Sequence, residues 1–464
     1  MNTYLDHYWA LYREFIEAFK HLTFKKIPIC LLTNFYQHID QELKVKLEAE
    51  HFPLPELKQD TIQPYFEKYL PKTQTINKPT TNGKILVNYD YTRIPESSYQ
   101  AWFDPNKTII LSRSRNSHVY GIPNETIAKY EEPTEEISEQ LVEEAKLVFA
   151  QFKDHIAFGN DFFQQTFLKR IPLIVKTINT CFNLFNQHTI SAIIVGTTED
   201  VVSRSLAIVG SLHGIKSICL QHGILMGEEA FMPIFTSAAA VYGEYEKNWY
   251  LQRGLAPERI LEIGHPKYDE IFTGPYLHRT SSKESINPDQ TTLLVITGPN
   301  LDPDRFTKLI KSLADSRRYQ LIIKPHPWEI AKKRCDLYYK LEKEYKSIKV
   351  QASREVNLYE LIGSVDGVVA TLSTVVVESI LLNKPVFLFD FLKSNRVYDY
   401  FNGLGGYVQT NSDELYRMVH QYYSSPKQKL DYAKVRQRYV DSLYLDGTSG
   451  QRLLEECGKI EGDS

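Results

Sequence analysis

The segment Asp366–Asp390, DGVVATLSTVVVESILLNKPVFLFD, constrains the fold more than any other part of the chain. Its apolar run at 367–370 predicts a buried strand, and a Ser-Thr turn and a helix ending near Leu382 follow. Pro385 closes the next turn, and residues 386–389 predict a second buried strand. Short apolar strands alternating with helices are typical of a parallel sheet, so the sequence predicts an α/β fold.

The turn between this strand and its helix suits a phosphate group. Ser373 and Thr374 stand at the expected start of the helix, where backbone N–H groups are free and the helix dipole is positive. Glu378 follows Thr374 by four residues, so both face one side of the helix, and its carboxylate is predicted to accept hydrogen bonds from ribose hydroxyls. The alternative is an ordinary helix cap followed by a surface glutamate.

A second motif, KPHP, directly follows a predicted strand at 319–323. Two prolines restrict the loop backbone and hold His326 at the carboxyl end of the strand, which is the edge where open parallel sheets bind ligands. His326 is a candidate hydrogen-bond donor to a phosphate oxygen, and Lys324 a candidate positive charge. A structural histidine in a rigid loop is the alternative.

A third region, residues 192–269, alternates predicted strands with helices. Strands are predicted at 192–196, 217–220, 238–242 and 260–263, and a helix at 201–210. Gln221, His222 and Gly223 follow one of these strands, and His265 lies in a GHPKYD sequence after another. A histidine after a strand and before a glycine is a candidate for function, whereas the GHP sequence at His265 favours a simple turn of the chain toward the linker.

These motifs together resemble the GT-B fold nucleotide-sugar enzymes over roughly residues 190–395. The similar families are the capsule polysaccharide transferases, the CDP-glycerol glycerophosphotransferases and the bacterial sialyl- and polysialyltransferases. The UDP-N-acetylglucosamine 2-epimerases are similar more distantly. The resemblance implies two Rossmann-like domains facing each other across a cleft, with a C-terminal helix crossing back. The sequence departs from the patterns of these families in two places. The acidic D/E-D/E-G motif of the bacterial sialyltransferases is missing, because Gly227 precedes Glu228 and Glu229. The HGT sequence of the glycerophosphotransferases is replaced by HGI at 222–224.

The resemblance also implies a function. The expected reaction moves a sugar or a polyol phosphate from a nucleotide-activated donor to a surface or capsular polysaccharide or a lipid-linked acceptor. Among the nucleotides, the resemblance favours cytidine. The donor nucleotide is expected on the second domain and the acceptor on the first. The residues expected to hold the donor are Lys324, His326, Ser373, Thr374 and Glu378.

His222 is the expected base for the acceptor hydroxyl. Glu199, Asp200 and Glu228 are alternatives to it. Gln221, Gly223 and His265 are further possible site residues. Enzymes of this type need no divalent metal, so no metal site and no cofactor beyond the nucleotide donor are expected. The Asp302-Pro303-Asp304 sequence is interpreted as a helix start and not as a metal site.

Three other functions remain open from the sequence. An epimerase acting on UDP-N-acetylglucosamine would share the fold, although the turn here is Leu-Ser-Thr where such enzymes usually have Ser-Gly-Gly. A GT-B protein that binds a nucleotide without turnover is the second. An NAD enzyme is disfavoured, because no GxGxxG follows a predicted strand.

Length and composition fit a globular protein of two domains. The chain has 464 residues, a net charge of −3 and five scattered cysteines, which exclude a disulfide framework and favour a reducing cytosol. The predicted domains are 1–275 and 291–464 with a linker at 276–290, and residues 27–32 are predicted as a strand. A cytoplasmic location is expected. Peripheral attachment to the inner face of the membrane is left open because six aromatic residues form a stripe along the first helix: Tyr4, Tyr8, Trp9, Tyr12, Phe15 and Phe19.

Overall fold

The computed structural model describes residues 3–49, 52–70, 82–277, 290–299, 301–353, 355–390 and 398–459. The chain forms two compact units, of which the first contains residues 1–267 and 448–464 and the second residues 268–447. The linker predicted at 276–290 falls mostly outside the described residues, so that boundary stays a prediction.

The first unit is built on a sheet that has eight strands among the described residues. In chain order the strands of the unit are β1 (Thr23–Phe24), β2 (Ile27–Pro28), β3 (Lys84–Asn88), β4 (Thr108–Leu111), β5 (His118–Val119), β6 (Ile122–Glu125), β7 (Ile190–Val195), β8 (Lys216–Leu220), β9 (Ala238–Val241) and β10 (Ile260–Glu262). The large sheet has the order β10-β9-β8-β7-β3-β4-β6-β5, in which only the β5–β6 pairing is antiparallel within the described chain. A parallel sheet covered on both faces needs apolar side chains on both, and the four residues of β9 are accordingly all buried.

The first unit also contains helices that precede β10 in the chain. They are α1 (Thr3–Phe19), α2 (Gln41–Glu48), α3 (Ile62–Glu67), α4 (Glu96–Trp102), α5 (Glu135–Ala150), α6 (Asp161–Gln187), α7 (Val201–Leu212) and α8 (Glu244–Leu251). Their starts follow local capping chemistry. Asn160 caps α6 and Asp200 caps α7, each side chain accepting a hydrogen bond from a backbone N–H of the first turn.

The aromatic stripe of α1 lies in the core of the first unit. All six residues are at most 3% exposed, and Tyr12 stacks on Phe35 with ring centroids 4.3 Å apart. The stripe therefore packs against protein and offers no aromatic face to a membrane, which removes the observation that left peripheral attachment open. The strand predicted at 27–32 is wrong beyond its first two residues, because a 3-10 turn at Ile29–Leu32 follows β2. Pro28 has no N–H to continue the ladder.

The second unit is a parallel sheet with six strands among the described residues. They are β11 (Thr291–Ile296), β12 (Tyr319–Lys324), β13 (Ile348–Val350), β14 (Gly367–Ala370), β15 (Val386–Phe389) and β16 (Val408–Gln409), in the order β13-β12-β11-β14-β15-β16. Its helices are α9 (Asp269–Thr273), α10 (Pro303–Asp315), α11 (Pro327–Ala331), α12 (Asp336–Glu344), α13 (Leu358–Ser364), α14 (Thr374–Leu381), α15 (Ser412–Ser424) and α16 (Pro426–Asp441). This is a Rossmann-like arrangement, as predicted.

The last described helix, α17 (Ser449–Gly458), packs on the first unit. Leu453 and Cys457 enter the core that also contains Val87, Ile194 and Ile218 of the central strands. Arg452 donates to the carbonyl of Ile263 at 3.0 Å. The prediction of a C-terminal helix that crosses back is confirmed. Among the described residues, no helix is both long enough and apolar enough to span a membrane.

Candidate functional site

The Ser-Thr turn of the second unit begins α14 in the predicted way but is not an ordinary cap. Ser373 occupies the N-cap position with an extended backbone, yet its side chain makes no capping hydrogen bond. Its Oγ is buried and has no hydrogen-bond partner among the described residues, and the same is true of the hydroxyl of Thr371 at the end of β14. Buried hydroxyls are normally paired, because each unpaired one costs about 1–3 kcal/mol. The two hydroxyls therefore indicate a turn built to receive a polar ligand.

Glu378 lies on α14, where it is 6% exposed. The interpretation as an incidental surface glutamate is therefore wrong, since a carboxylate is rarely buried without a purpose in the structure or in binding. The role of Glu378 toward a ribose stays a prediction.

The KPHP loop is held by a hydrogen-bond network that the sequence analysis did not identify. Glu329 is 5% exposed and accepts from the backbone N–H of His326 at 3.0 Å, the hydroxyl of Thr297 at 2.6 Å and the hydroxyl of Tyr338 at 2.7 Å. In return Nδ1 of His326 accepts from the N–H of Trp328 at 3.1 Å, which completes a capping box at the start of α11.

This network fixes the tautomer of His326. Because Nδ1 accepts a backbone N–H, the proton of the neutral ring is on Nε2, which is then a donor. The His326 side chain is exposed. Lys324 at the end of β12 is partly buried; desolvation lowers the pKa of its ammonium, and its Nζ donates to the carbonyl of Ser353.

The sheet order brings the predicted donor residues of the second unit to one edge. Strands β12, β11 and β14 are neighbours and run parallel, so Lys324, Thr297 and Thr371 end them on the same side. Gly298 completes this edge, because a Cβ there would lie 2.9 Å from the methyl group of Thr371. Thr297 and Thr371 were missed, although their positions directly after apolar strands could have identified them.

In the first unit, His222 lies after β8, packed between aromatic rings. It stacks on Phe231 with centroids 4.9 Å apart and an interplanar angle of 11°, and Tyr91 meets its edge at 6.3 Å. Burial and, to a lesser degree, the charge of Arg93 lower the pKa of His222 to about 4, whereas a hydrogen bond with the Gly196 backbone opposes the shift. The imidazole is therefore neutral near pH 7. An anionic ligand beside it would raise its pKa toward the range where a general base works best.

The residues on either side of His222 fix the backbone of its loop. Gln221 is 3% exposed, and its amide nitrogen donates to the carbonyl of Gly223 at 2.7 Å. The carbonyl of Gln221 accepts from the hydroxyl of Tyr242 at 3.1 Å. Gln221 and Gly223 thus hold the loop in shape around the histidine.

His265 is fully buried beneath the same sheet edge. Its Nδ1 accepts the N–H of Lys267 at 3.0 Å, and burial holds its pKa well below the ordinary value. This geometry favours the interpretation in which the GHP sequence turns the chain.

The carboxylates considered as alternative bases are held by other contacts. Glu228 is 7% exposed and pairs with Arg253 and Trp9 through both oxygens. Asp200 caps α7 through Ser203, accepting from its N–H at 2.9 Å and from its hydroxyl at 2.6 Å. Glu199 accepts from the side-chain amide of Asn34 at 2.8 Å and is only partly buried. Of the three, Glu199 is the least constrained.

Residues 242–458 match the model of the CDP-glycerol:poly(glycerophosphate) glycerophosphotransferase family. The matched residues make up just under half of the chain. This segment contains the KPHP loop and the Ser-Thr turn, so the resemblance inferred from those motifs is confirmed. The predicted class of enzyme is also confirmed: one that transfers a glycosyl or polyol-phosphate group from a nucleotide-activated donor. No protein with curated annotation matches the sequence.

Solved structures similar to this chain have the same fold. Staphylococcus aureus MnaA with UDP has a TM-score of 0.52 at 12% identity over 80% of this chain and 95% of its own. Anabaena HepE with UDP has a TM-score of 0.50 at 14% identity over 81% of this chain and 100% of its own. A putative UDP-N-acetylglucosamine 2-epimerase from Listeria monocytogenes has a TM-score of 0.50 at 12% identity over 80% of this chain and 94% of its own. The GT-B fold predicted from the sequence is confirmed.

Proposed function

We propose that the protein transfers a glycosyl or polyol-phosphate unit from a cytidine-activated donor to a surface or capsular glycan. The proposal depends chiefly on two buried hydroxyls, those of Thr371 and Ser373, which have no hydrogen-bond partner in the described part of the chain and lie on the sheet edge that also carries the KPHP loop. Both motifs lie inside the segment that matches the glycerophosphotransferase family, and the CDP-glycerol in that family's name supports a cytidine-activated donor.

In this proposal the second unit binds the donor. The backbone N–H groups at the start of α14, the hydroxyls of Ser373 and Thr374 and the Nε2–H of His326 donate to the donor phosphates. Lys324 adds positive charge, and Glu378 binds the ribose. These donors stabilise the negative charge that develops on the departing nucleotide. We include in the proposal that no divalent metal is needed, so EDTA leaves the rate unchanged.

The first unit supplies the base in this proposal. The neutral His222 ring donates one N–H toward Gly196, which leaves the other nitrogen able to accept the proton of an acceptor hydroxyl. Glu199 is the alternative base, because its contacts constrain it least.

Two measurements test the proposal. The first compares the melting temperature of the protein with CMP, CDP, UDP, GDP and NAD; a ligand of the native state raises it, and cytidine nucleotides are expected to raise it most. A shift by NAD alone, or by none of the five, would contradict the donor assignment.

The second measurement follows release of the nucleotide from CDP-glycerol and from UDP-sugars with acceptor glycans present. His222→Ala is expected to lower kcat by roughly 100-fold or more with donor affinity nearly unchanged. His21→Ala, an exposed histidine of the same unit, is the matched control. Normal kcat in folded His222→Ala protein would move the base to Glu199.

Conversion of UDP-N-acetylglucosamine to its manno epimer would favour the epimerase, and binding of nucleotide without turnover would favour an inactive protein.

A further inference from the structure

The segment 221–234, which we call the histidine loop, lies between β8 and β9 and carries His222 near its start and Glu228 in its middle. Glu228 lies in a short 3-10 turn and is 7% exposed. Its Oε1 accepts from the indole N–H of Trp9 at 2.5 Å, and its Oε2 accepts from Nε and Nη2 of Arg253 at 2.8 and 2.5 Å. These partners hold the carboxylate of Glu228 in one position. Removing either partner would leave a buried charge without its full set of contacts, which is costly.

Both partners of Glu228 lie outside the histidine loop. Trp9 is on α1 and is 2% exposed, while Arg253 follows α8 and its guanidinium lies 3.5 Å from the ring centroid of Trp249. A further contact comes from α3, where the side-chain amide of Gln63 accepts from the N–H of Ile234 and donates to its carbonyl at 2.8 and 2.9 Å. The helical N-terminal part of the chain therefore holds the histidine loop at two places.

Glu228 is connected to His222 through Phe231. The backbone carbonyl of Glu228 accepts the N–H groups of Phe231 and Met232 at 3.1 and 3.0 Å, which closes the turn. Phe231 then lies nearly parallel on the imidazole, at an interplanar angle of 11°. A stacked ring fixes the orientation of a histidine and excludes water from one of its faces.

We propose that Trp9 and Arg253, acting through Glu228, position Phe231 against His222, so that helix α1 orients the histidine on which the transfer depends. Glu228, Trp9 and Phe231 are positioning residues in this account and do not contact substrate. The proposal rests on the function proposed for His222. It assigns to the N-terminal helix a part in the reaction, beyond its packing in the core.

The charged and titratable groups around the ring are known from the structure. Arg93, from the loop after β3, lowers the pKa of His222, and His265 interacts with it electrostatically. Gly196, after β7, holds the ring through its backbone. None of these groups belongs to the chain of contacts through Glu228. A variant of that chain therefore changes the ring environment without removing a charge that faces it.

The experiment measures the pKa of His222 by NMR in the full-length protein with labelled histidine, the signal being assigned by its loss in His222→Ala. Glu228→Gln leaves Arg253 without its carboxylate and risks unfolding, so the test uses Trp9→Phe, which removes the indole N–H and the pyrrole part of the ring but keeps an aromatic side chain. Trp102→Phe is the matched control, because that partly buried indole of the same unit makes no hydrogen bond among the described residues. Phe231→Leu and Phe231→Tyr complete the set.

We expect Trp9→Phe and Phe231→Leu to raise the pKa of His222 from about 4 toward its ordinary 6.5 and to lower kcat by up to roughly 100-fold, with KM for the donor unchanged. Phe231→Tyr keeps the stacked ring and should retain both values. An unchanged pKa in folded Trp9→Phe and Phe231→Leu would overturn the proposal. If His222→Ala turns over normally, the role of base proposed for His222 fails and Glu199 takes its place, while a raised pKa in Trp9→Phe still supports the positioning chain.

Discussion

Ser373 shows how a single side chain separates a structural turn from a binding turn. A serine at an N-cap normally accepts a hydrogen bond from the helix, which stabilises it by about 1 kcal/mol. Ser373 has the position without the bond, whereas Ser425 at the start of α16 accepts from the N–H of Gln428. The two serines therefore differ in what their removal should cost.

The double variant Ser373→Ala, Thr374→Ala is expected to weaken nucleotide binding without lowering the melting temperature, because the Ser373 hydroxyl makes no capping hydrogen bond. Ser425→Ala should lower the melting temperature and leave nucleotide binding unchanged, because the Ser425 hydroxyl caps α16. Isothermal titration with CDP and a thermal melt measure both quantities. Equal nucleotide affinity in the double variant and the parent would exclude the turn as a phosphate site.

Sequence alone identified the residue types of the site but not their environments. KPHP and the Ser-Thr turn are local patterns, so their positions after strands followed from apolar runs. The environments of Glu329 and Glu228 depend on partners such as Thr297, Tyr338 and Trp9, which are brought together only by folding. Nothing in a single sequence distinguishes these buried glutamates from exposed ones.

At the scale of elements, the parallel strands were the most predictable part of the chain. Fully buried strands such as β14 and β15 consist of apolar residues and lie between turns, so their bounds were predicted to the residue. The short β2 was predicted too long, because the buried 3-10 turn at Ile29–Leu32 has the same composition as a strand. Composition reports burial and not backbone conformation.

Helix α17 gives the prediction that belongs to this scale. Leu453→Ala should lower the free energy of unfolding of the first unit by roughly 2–5 kcal/mol, since the side chain is fully buried among the central strands. Leu430→Ala in α16, where the leucine is 66% exposed, is the control and should change little. Hydrogen exchange of β7 and β11 distinguishes the units, and equal loss of protection in both would contradict the assignment of α17 to the first unit.

For the whole molecule, buried neutral histidines couple stability to pH. His38 is 1% exposed and its pKa is lowered to about 4 by burial. Its Nδ1 lies 3.2 Å from the carbonyl of Asn34 and its Nε2 lies 3.3 Å from the hydroxyl of Thr33, a pattern that a neutral ring satisfies. The ring cannot take a second proton without losing the hydrogen bond from Thr33.

The pH prediction follows from that lowered pKa. Between pH 6.5 and about 4 the unfolded chain binds a proton at His38 that the folded chain does not, so stability falls as the pH falls through this window. The loss attributable to His38 is at most roughly 3 kcal/mol. Urea unfolding at pH 7 and 4.5 should show a smaller difference for His38→Gln than for the parent. If the free energy of unfolding fell by the same amount between pH 7 and 4.5 in His38→Gln and in the parent, the prediction for His38 would be contradicted.

Because α17 belongs to the first unit, residues 268–447 form an insertion within that unit's sequence. During translation every strand of the second unit leaves the ribosome before Leu453 and Cys457 are made. Part of the core of the first unit therefore stays uncovered until helix α17 has been synthesised. The order of synthesis thus differs from the order of completion: the unit begun first is finished last.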